Sequence, residues 1–218
     1  PPPSPHCPSL VCPQLSDTHT HESKLDVPPG DILIHCGDFT AFGRGADAFN
    51  TWLGDLPHAY KLVVAGNHEA GPMRDLRPVI TNATFLHDDV VSVAGVSVFG
   101  SVWVSEHADS RLWGKVIPSE PPVNVLVTHR PPAGILDGGS GCEGLRAAAE
   151  SMPALAVHCF GHIHSAAGVE AHGDVVFVNA ATPGRSRAPV RGPVVVRLSL
   201  REGGRPVVLG VEPGAPVE

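Results

Sequence analysis

Three things are in short supply in this sequence, and each shortage removes a class of function. The first is positive charge: 15 lysines and arginines face 22 aspartates and glutamates, for a net charge of -7. That balance offers no basic face to a phosphate backbone, so long nucleic acid is not an expected partner. The second is paired cysteine. Cys7, Cys12, Cys36, Cys142 and Cys159 are odd in number and contain no Cys-x-x-Cys pair, which signals neither a disulfide framework nor a thiolate zinc knuckle. A reducing, cytoplasmic setting is the expectation. The third is the long apolar run: none approaches the roughly 18 residues of a membrane span, and no charged segment followed by an apolar one opens the chain. No membrane partner is expected. The chain opens on proline instead of Met, which leaves room for a removed leader.

What the sequence does have is turn chemistry and short apolar runs. Its 24 glycines and 23 prolines predict many turns and long loops. Proline concentrates at the two ends, so residues 1–9 and 213–218 are expected to be flexible and residues 10–212 to form one domain. Between them, Ile32-Leu33-Ile34, Leu62 to Ala65, Val123 to Val127 and Ala156 to Phe160 are too short for helices and read as strands covered on both faces. Ala46, Phe49, Leu53 and Leu56 share one helical face, and a second helix is expected over Glu143 to Met152. Hairpins are expected at Val90 to Phe99 and around His172-Gly173-Asp174. This is the pattern of a layered α/β domain with mixed sheets, whose loops at strand ends can gather a site.

Every polar cluster sits at such an end. In order they read Ser16-Asp17-Thr18-His19, Gly37-Asp38, Gly66-Asn67-His68-Glu69, Thr128-His129 and Gly161-His162-Ile163-His164. Side chains alternate along a strand, but past Gly161 that rule lapses, and His162 and His164 can both turn toward one centre. About seven ligand-type side chains exceed what one four-coordinate zinc can use. Two ions sharing a carboxylate can use them all. Carboxylate, amide oxygen and imidazole without thiolate favour manganese, with iron, zinc or magnesium as alternatives.

These five blocks, in this order and on this background, resemble the motif series of the calcineurin-like metallophosphoesterases. Within that family, "SDTHTH", "GDILIHCGDFTAFG", "FNTWLGDLPHAYKLVVAGNHE", "THRPPAGILD", "GCEGLRAA" and "HCFGHIHSAAGVE" leading to "VNAAT" resemble the metallophosphoesterase domain-containing group over most of Leu15 to Thr182. The resemblance implies a four-layer αββα sandwich of two mixed β-sheets flanked by helices. It implies Asp17, His19 and His164 on one metal, Asn67, His129 and His162 on the other, and Asp38 as the catalytic bridge. His68 would stabilise developing charge or protonate the leaving oxygen. The activity implied is hydrolysis of a small phosphate ester by a metal-bound hydroxide, with a diester such as a cyclic nucleotide favoured. A phosphomonoesterase or protein phosphatase is the nearest alternative, and a weakly active metal- or nucleotide-binding scaffold the third.

Other residues carry weaker signals. Arg130, with Asn67 and His68, is a candidate for gripping substrate phosphate, although a solvated arginine beside two prolines fits as well. Pro13 falls inside the first expected strand, where its missing N–H predicts a short or bulged strand and a displaced Asp17. His21 reads as a loop residue, His35 and His158 as hydrogen-bonded interior residues, and Cys36 and Cys159 as small core residues. Cys142 opens a helix. Trp103 and Trp113 are expected to pack under a loop. Asn179 follows an apolar run, where it could serve the backbone or the site.

Overall fold

The computed structural model describes residues 9–69, 75–103, 113–183, 190–201 and 204–217. Strands β1 (Ser9–Leu15), β2 (Ile32–His35), β3 (Tyr60–Val63) and β4 (Thr84–Phe85) come first, then β5 (Asp89–Val93), β6 (Val96–Gly100), β7 (Val125–Val127), β8 (Val157–Phe160), β9 (Gly168–His172) and β10 (Val175–Asn179). The chain closes with β11 (Val194–Ser199) and β12 (Val207–Glu212). They assemble into two six-stranded sheets in the orders β12-β11-β1-β2-β3-β4 and β5-β6-β7-β8-β10-β9. In the first sheet β1 to β4 run parallel, and in the second β6, β7, β8 and β10 do. The outer strands β11, β12, β5 and β9 are antiparallel. Both sheets are therefore mixed, as expected.

The two-residue period of a strand sorts the side chains into layers. Ile32, Ile34 and Leu62 meet Val98, Val125, Val127 and Val157 between the sheets. Their neighbours Leu33 and Val63 face the other way, onto Phe49 and Leu53 of helix α1 (Ala46–Asp55). Each of those two helix residues is fully buried, which contributes about 1.5–3 kcal/mol per side chain. On the far side Leu126, Phe99, Phe160 and Phe177 pack against Trp113 of α2 (Trp113–Val116) and Leu145 and Ala148 of α3 (Glu143–Glu150). The layers are helix, sheet, sheet, helix. Trp113 is thus buried, though in a helix and against the sheet instead of under a loop, while Cys142 caps α3, its sulfur accepting from Leu145 N at 3.4 Å. Among the described residues no helix is long and apolar enough to cross a membrane.

Pro13 does not break its strand. β1 pairs with β11 from Ser9↔Ser199 to Gln14↔Val194 in unbroken register. The even-numbered residues of β1 face β11, because Val11 and Leu15 turn their polar groups the other way: Asp31 N donates to Val11 O, and Cys36 N to Leu15 O. Pro13 shares their parity, so its missing N–H falls on the β2 side, where pairing starts only at Gln14. Its ring lies over Gly30, where a Cβ would come within 2.6 Å of Pro13 Cδ. Some residues near the ends take part in the sheet and its bonds. Ser9 is already in β1, and residues 213–217 are tied down, with Gly192 N donating to Ala215 O at 2.7 Å and Val217 N to Val190 O at 3.2 Å. Residues 1–8 and Glu218 lie outside the described residues.

His158 shows what the interior does to an imidazole. It is fully buried beside Phe160 and Phe177, and burial lowers its pKa from 6.5 to about 3. Thr128 Oγ1 donates to Arg130 O and so accepts from His158 Nε2 at 2.9 Å, leaving Nδ1 without a partner. The unfolded chain takes up this proton near 6.5 and the folded one only near 3. Stability is therefore intact above the upper value and lost as pH falls between the two. His158→Phe should keep the fold and flatten the pH dependence of urea unfolding below about pH 6 by roughly 1.4 kcal/mol per pH unit.

Candidate metal centre

The carboxyl ends of the parallel strands of both sheets meet at one place. β1 leads to Asp17 and His19, β2 to Asp38, the run after β3 to Asn67 and His68, β7 to His129, and β8 to His162 and His164. This is where an open α/β sheet gathers ligands. Backbone bonds lash the turns together: Asp17 N donates to Gly37 O, His19 N to Asp38 O, and Gly161 N to His129 O, at 2.9 to 3.0 Å. Asp17, His19, Asp38 and His162 all hold positive φ, between 45° and 70°. Such conformations cost of order 1–3 kcal/mol each in a non-glycine residue and cluster at sites where orientation matters.

The side chains converge in two triads linked by a third cluster. Donor atoms of Asp17, His19 and His164 lie within 4.8 Å of one another, as do those of Asp38, His129 and His162. His164 Nε2 is 3.2 Å from Asp17 Oδ1 and 3.5 Å from His19 Nε2. Asn67 Oδ1 is 3.1 Å from His129 Nε2 and 3.0 Å from His162 Nδ1. Asp38 faces both groups: its Oδ2 is 3.4 Å from His129 Nε2, and it forms a third cluster with His19 and His68. All seven candidate ligands are thus brought together, with Asp38 in the shared position. His68 joins them, Nε2 at 3.8 Å from Asp38 Oδ2 and its ring tilted against His19.

The cluster calls for positive charge. Burial opposes ionisation of Asp17 and Asp38, yet His129 beside them holds both carboxyls below the usual range. Burial likewise opposes a charged His129, but Asp38 and Asp17 raise its pKa to about 10. His162 goes the other way, burial and then His129 lowering it to about 4. His129 Nδ1 is 2.7 Å from Cys36 O, so it donates there and a neutral ring turns the lone pair of Nε2 onto Asp38 and Asn67. Two buried carboxylates, an amide oxygen and bare imidazole nitrogens form a donor set that fits divalent cations, which would take the place of that proton.

Some supporting residues escaped the sequence reading. Glu69, in the same block as Asn67, is no member of either triad. Its Oε2 accepts from Asp38 N and Gly66 N and its Oε1 from Thr40 N and Thr40 Oγ1, all at 2.7 to 2.8 Å. Burial and the charge of Asp38 push its pKa up to about 7, while those donors pull against the rise. Gly66 leaves no room for a side chain, since a Cβ there would lie 2.6 Å from Asp38 N. Asn179 serves the backbone, its amide donating to Ile163 O and Leu136 O at 3.0 and 3.1 Å. That fixes the residue between His162 and His164.

The weaker candidates divide. Arg130 donates to Ser140 O and Gly141 O at 3.4 Å. His21 Nδ1 meets His19 O at 2.9 Å. His35 is interior, as expected: Gly37 N donates to its Nδ1 and its Nε2 lies 3.2 Å from Thr18 Oγ1. Trp103 lies at the cluster, and residues 104–112 that follow it are outside the described residues. It is half-buried, and its ring leans on His162 and His129, with centroids 4.6 and 5.6 Å away.

Known proteins resemble this chain in sequence or in fold. The human "Metallophosphoesterase domain-containing protein 1" is 33% identical over 234 residues, covering 87% of this chain and 70% of that protein. The Caenorhabditis elegans "UPF0046 protein K07C11.7" is 35% identical over 227 residues, 89% of this chain and 77% of that one. The NAD nucleotidase of Haemophilus influenzae superposes on 95% of this chain with a TM-score of 0.60 at 12% identity, a likeness of fold. This chain spans 50% of that structure. The sequence model for calcineurin-like phosphoesterases matches residues 12–166, a stretch that runs from β1 past His164 and takes in all seven clustered side chains. On that match, the chain belongs to the calcineurin-like phosphoesterase family.

Proposed function

We propose that this protein is a metal-dependent phosphodiesterase with a dinuclear centre, acting on a small phosphate ester. The observation that carries the reading is that Asp38 clusters with His129 and His162 on one side and with His19, a member of the Asp17, His19, His164 triad, on the other, while Asn67 Oδ1 meets His129 and His162. Two divalent cations held there, manganese favoured by the oxygen and nitrogen donors, would polarise the phosphoryl oxygens and acidify a water for attack. The chain's own groups do the rest. Asp17 and Asp38 hold the positive charge in register, and Asn67 presents its amide oxygen. His68 Nε2, beside Asp38 Oδ2, would give a proton to the leaving oxygen as that oxygen's bond to phosphorus breaks and water's oxygen forms the new one, the water's own proton passing to solvent.

A diester is preferred over a monoester because it brings one phosphoryl charge instead of two. Near the cluster, Arg130 and Arg191 direct guanidinium donors to the carbonyls of Ser140, Gly141 and His164, whereas a monoester dianion favours an arginine fork. A small substrate, a nucleotide among the candidates, also suits the net charge of -7. The test pairs metal content by mass spectrometry with turnover of bis(p-nitrophenyl) phosphate and p-nitrophenyl phosphate. About two ions per chain and faster diester cleavage are expected. Faster monoester cleavage would transfer the assignment to a phosphomonoesterase, and a metal-free, inactive chain would leave the scaffold reading.

A further inference from the structure

We infer that His35 is a positioning residue of the metal centre: through its two ring nitrogens it ties the turn carrying Asp17 and His19 to the turn carrying Asp38. The inference rests on the dinuclear reading of the centre and assigns a residue outside the ligand set.

His35 ends β2 and is fully buried. The rings beside it are apolar, Phe49 and Phe39 standing edge-on with centroids at 4.9 and 5.8 Å, so packing does not call for an imidazole. An imidazole buried there is costly unless its nitrogens are bonded, and both are. Gly37 N donates to Nδ1 at 3.2 Å, a role that only an unprotonated nitrogen can accept, so the proton of the neutral ring sits on Nε2. Nε2 then donates to Thr18 Oγ1 at 3.2 Å. Burial keeps the ring neutral, lowering its pKa from 6.5 to about 3. His158, which burial shifts as far, has a partner only at Nε2.

The two partners give His35 its reach. Thr18 is itself fully buried and lies between the ligands Asp17 and His19. Because Thr18 Oγ1 accepts from His35, its own hydrogen points elsewhere, and the buried Glu22 takes it: burial pushes that carboxyl up, and Thr18 is one of the groups that pull it down. Gly37 comes directly before Asp38 and holds φ 96°, with no space for a Cβ, which would lie 2.5 Å from Gly66 N. One ring thus spans from the backbone at Asp38 to the side chain between Asp17 and His19, and its fixed tautomer sets how the two turns stand. His129 and His162 follow β7 and β8 of the other sheet. The ion held by Asp17, His19 and His164 therefore depends on His35 more than the other ion does.

The test reads manganese binding by calorimetry and equilibrium dialysis, with His35→Phe, Thr18→Val, the double variant and Thr18→Ser in the full chain. Wild type should bind about two ions. In His35→Phe one of them should loosen roughly 10- to 100-fold while the other holds. At intermediate manganese the spin-coupled electron paramagnetic resonance signal of an ion pair should then give way to that of isolated manganese. Thr18→Val should repeat the loss, and the double variant should lose no more than either alone, because the two residues act as one. Thr18→Ser keeps the hydroxyl and should keep both ions. Unchanged affinities with only a lower Tm would overturn the inference by making His35 a packing residue. Equal loosening of both ions, additive losses, or a Thr18→Ser variant as weak as Thr18→Val would overturn it too. If His35→Phe does not fold, the contrast between Thr18→Val and Thr18→Ser decides. A wild-type chain that binds fewer than two ions would be a failure of the dinuclear reading, visible before any variant is made, and would take the inference with it.

Discussion

Asp38→Asn is expected to abolish diesterase activity, by about a thousandfold or more, and to halve the metal content. The substitution changes one atom's charge and almost no volume, so the fold should survive it. Asp38 is buried, meets His129 Nε2 at 3.4 Å and clusters with His19 and His68 as well. A neutral amide there removes the charge that faces His129 on one side and His19 on the other and presents N–H donors to imidazole nitrogens that must stay bare. Mass spectrometry of the metal-loaded protein and bis(p-nitrophenyl) phosphate turnover on the same sample check it. Full metal content with full activity would mean that Asp38 does not bridge.

Glu69→Gln should act by a different route, through the backbone. One carboxylate ties Asp38 N, Gly66 N, Thr40 N and Thr40 Oγ1. An amide can accept on one side only. If its NH2 lies toward Asp38 and Gly66, two buried backbone donors are orphaned, and if it lies toward Thr40, one is. At pH 8 or above, where a carboxyl with a pKa of about 7 is ionised, the expected loss is about 3–5 kcal/mol, because hydrogen bonds to a charged acceptor are the strong ones and buried unpaired donors are costly. A fall in Tm of roughly 10 °C follows for a chain of this size. Manganese affinity should drop about 10- to 100-fold, since the ligand Asp38 loses its support. Scanning calorimetry with and without manganese reads both. An unchanged Tm would show that the carboxylate's charge is not what holds the turn.

Much of this site could be read in advance, and for a physical reason. Carboxylates and imidazoles set directly against apolar strands are costly unless something gathers them, so Asp17-x-His19, Gly37-Asp38 and Gly161-His162-x-His164 stand out against Leu15, Cys36 and Phe160. Helix α1 was visible in the spacing of Phe49 and Leu53, and the layers in the alternation around Leu33 and Leu126. Other features depend on what lies across a turn or a ladder. Pro13 looked disruptive because its parity against β2 is not written in the strand itself. Glu69 looked like one more polar residue, since the donors it serves lie some thirty positions back at Asp38 and Thr40. The positive φ of Phe42 and Gly43 is not advertised in the sequence, and the bond from Trp103 N to Ala65 O, which brings that ring to the cluster, spans a long stretch of chain.

The pairing of Ser9 with Ser199 sets an order of events for folding. β1 carries Asp17 at its end, yet one flank of β1 is closed only by β11, nearly the whole chain later. The closure entropy of that long loop must be met before the pairing gives anything back. During synthesis the strand that positions the first ligand therefore waits with an open edge, and such an edge is a template for pairing with other chains. The second sheet has no such delay, because β5 to β10 follow one another closely. The half of the site holding His129 and His162 can form first, and the half holding Asp17 and His19 locks only when the last strands arrive.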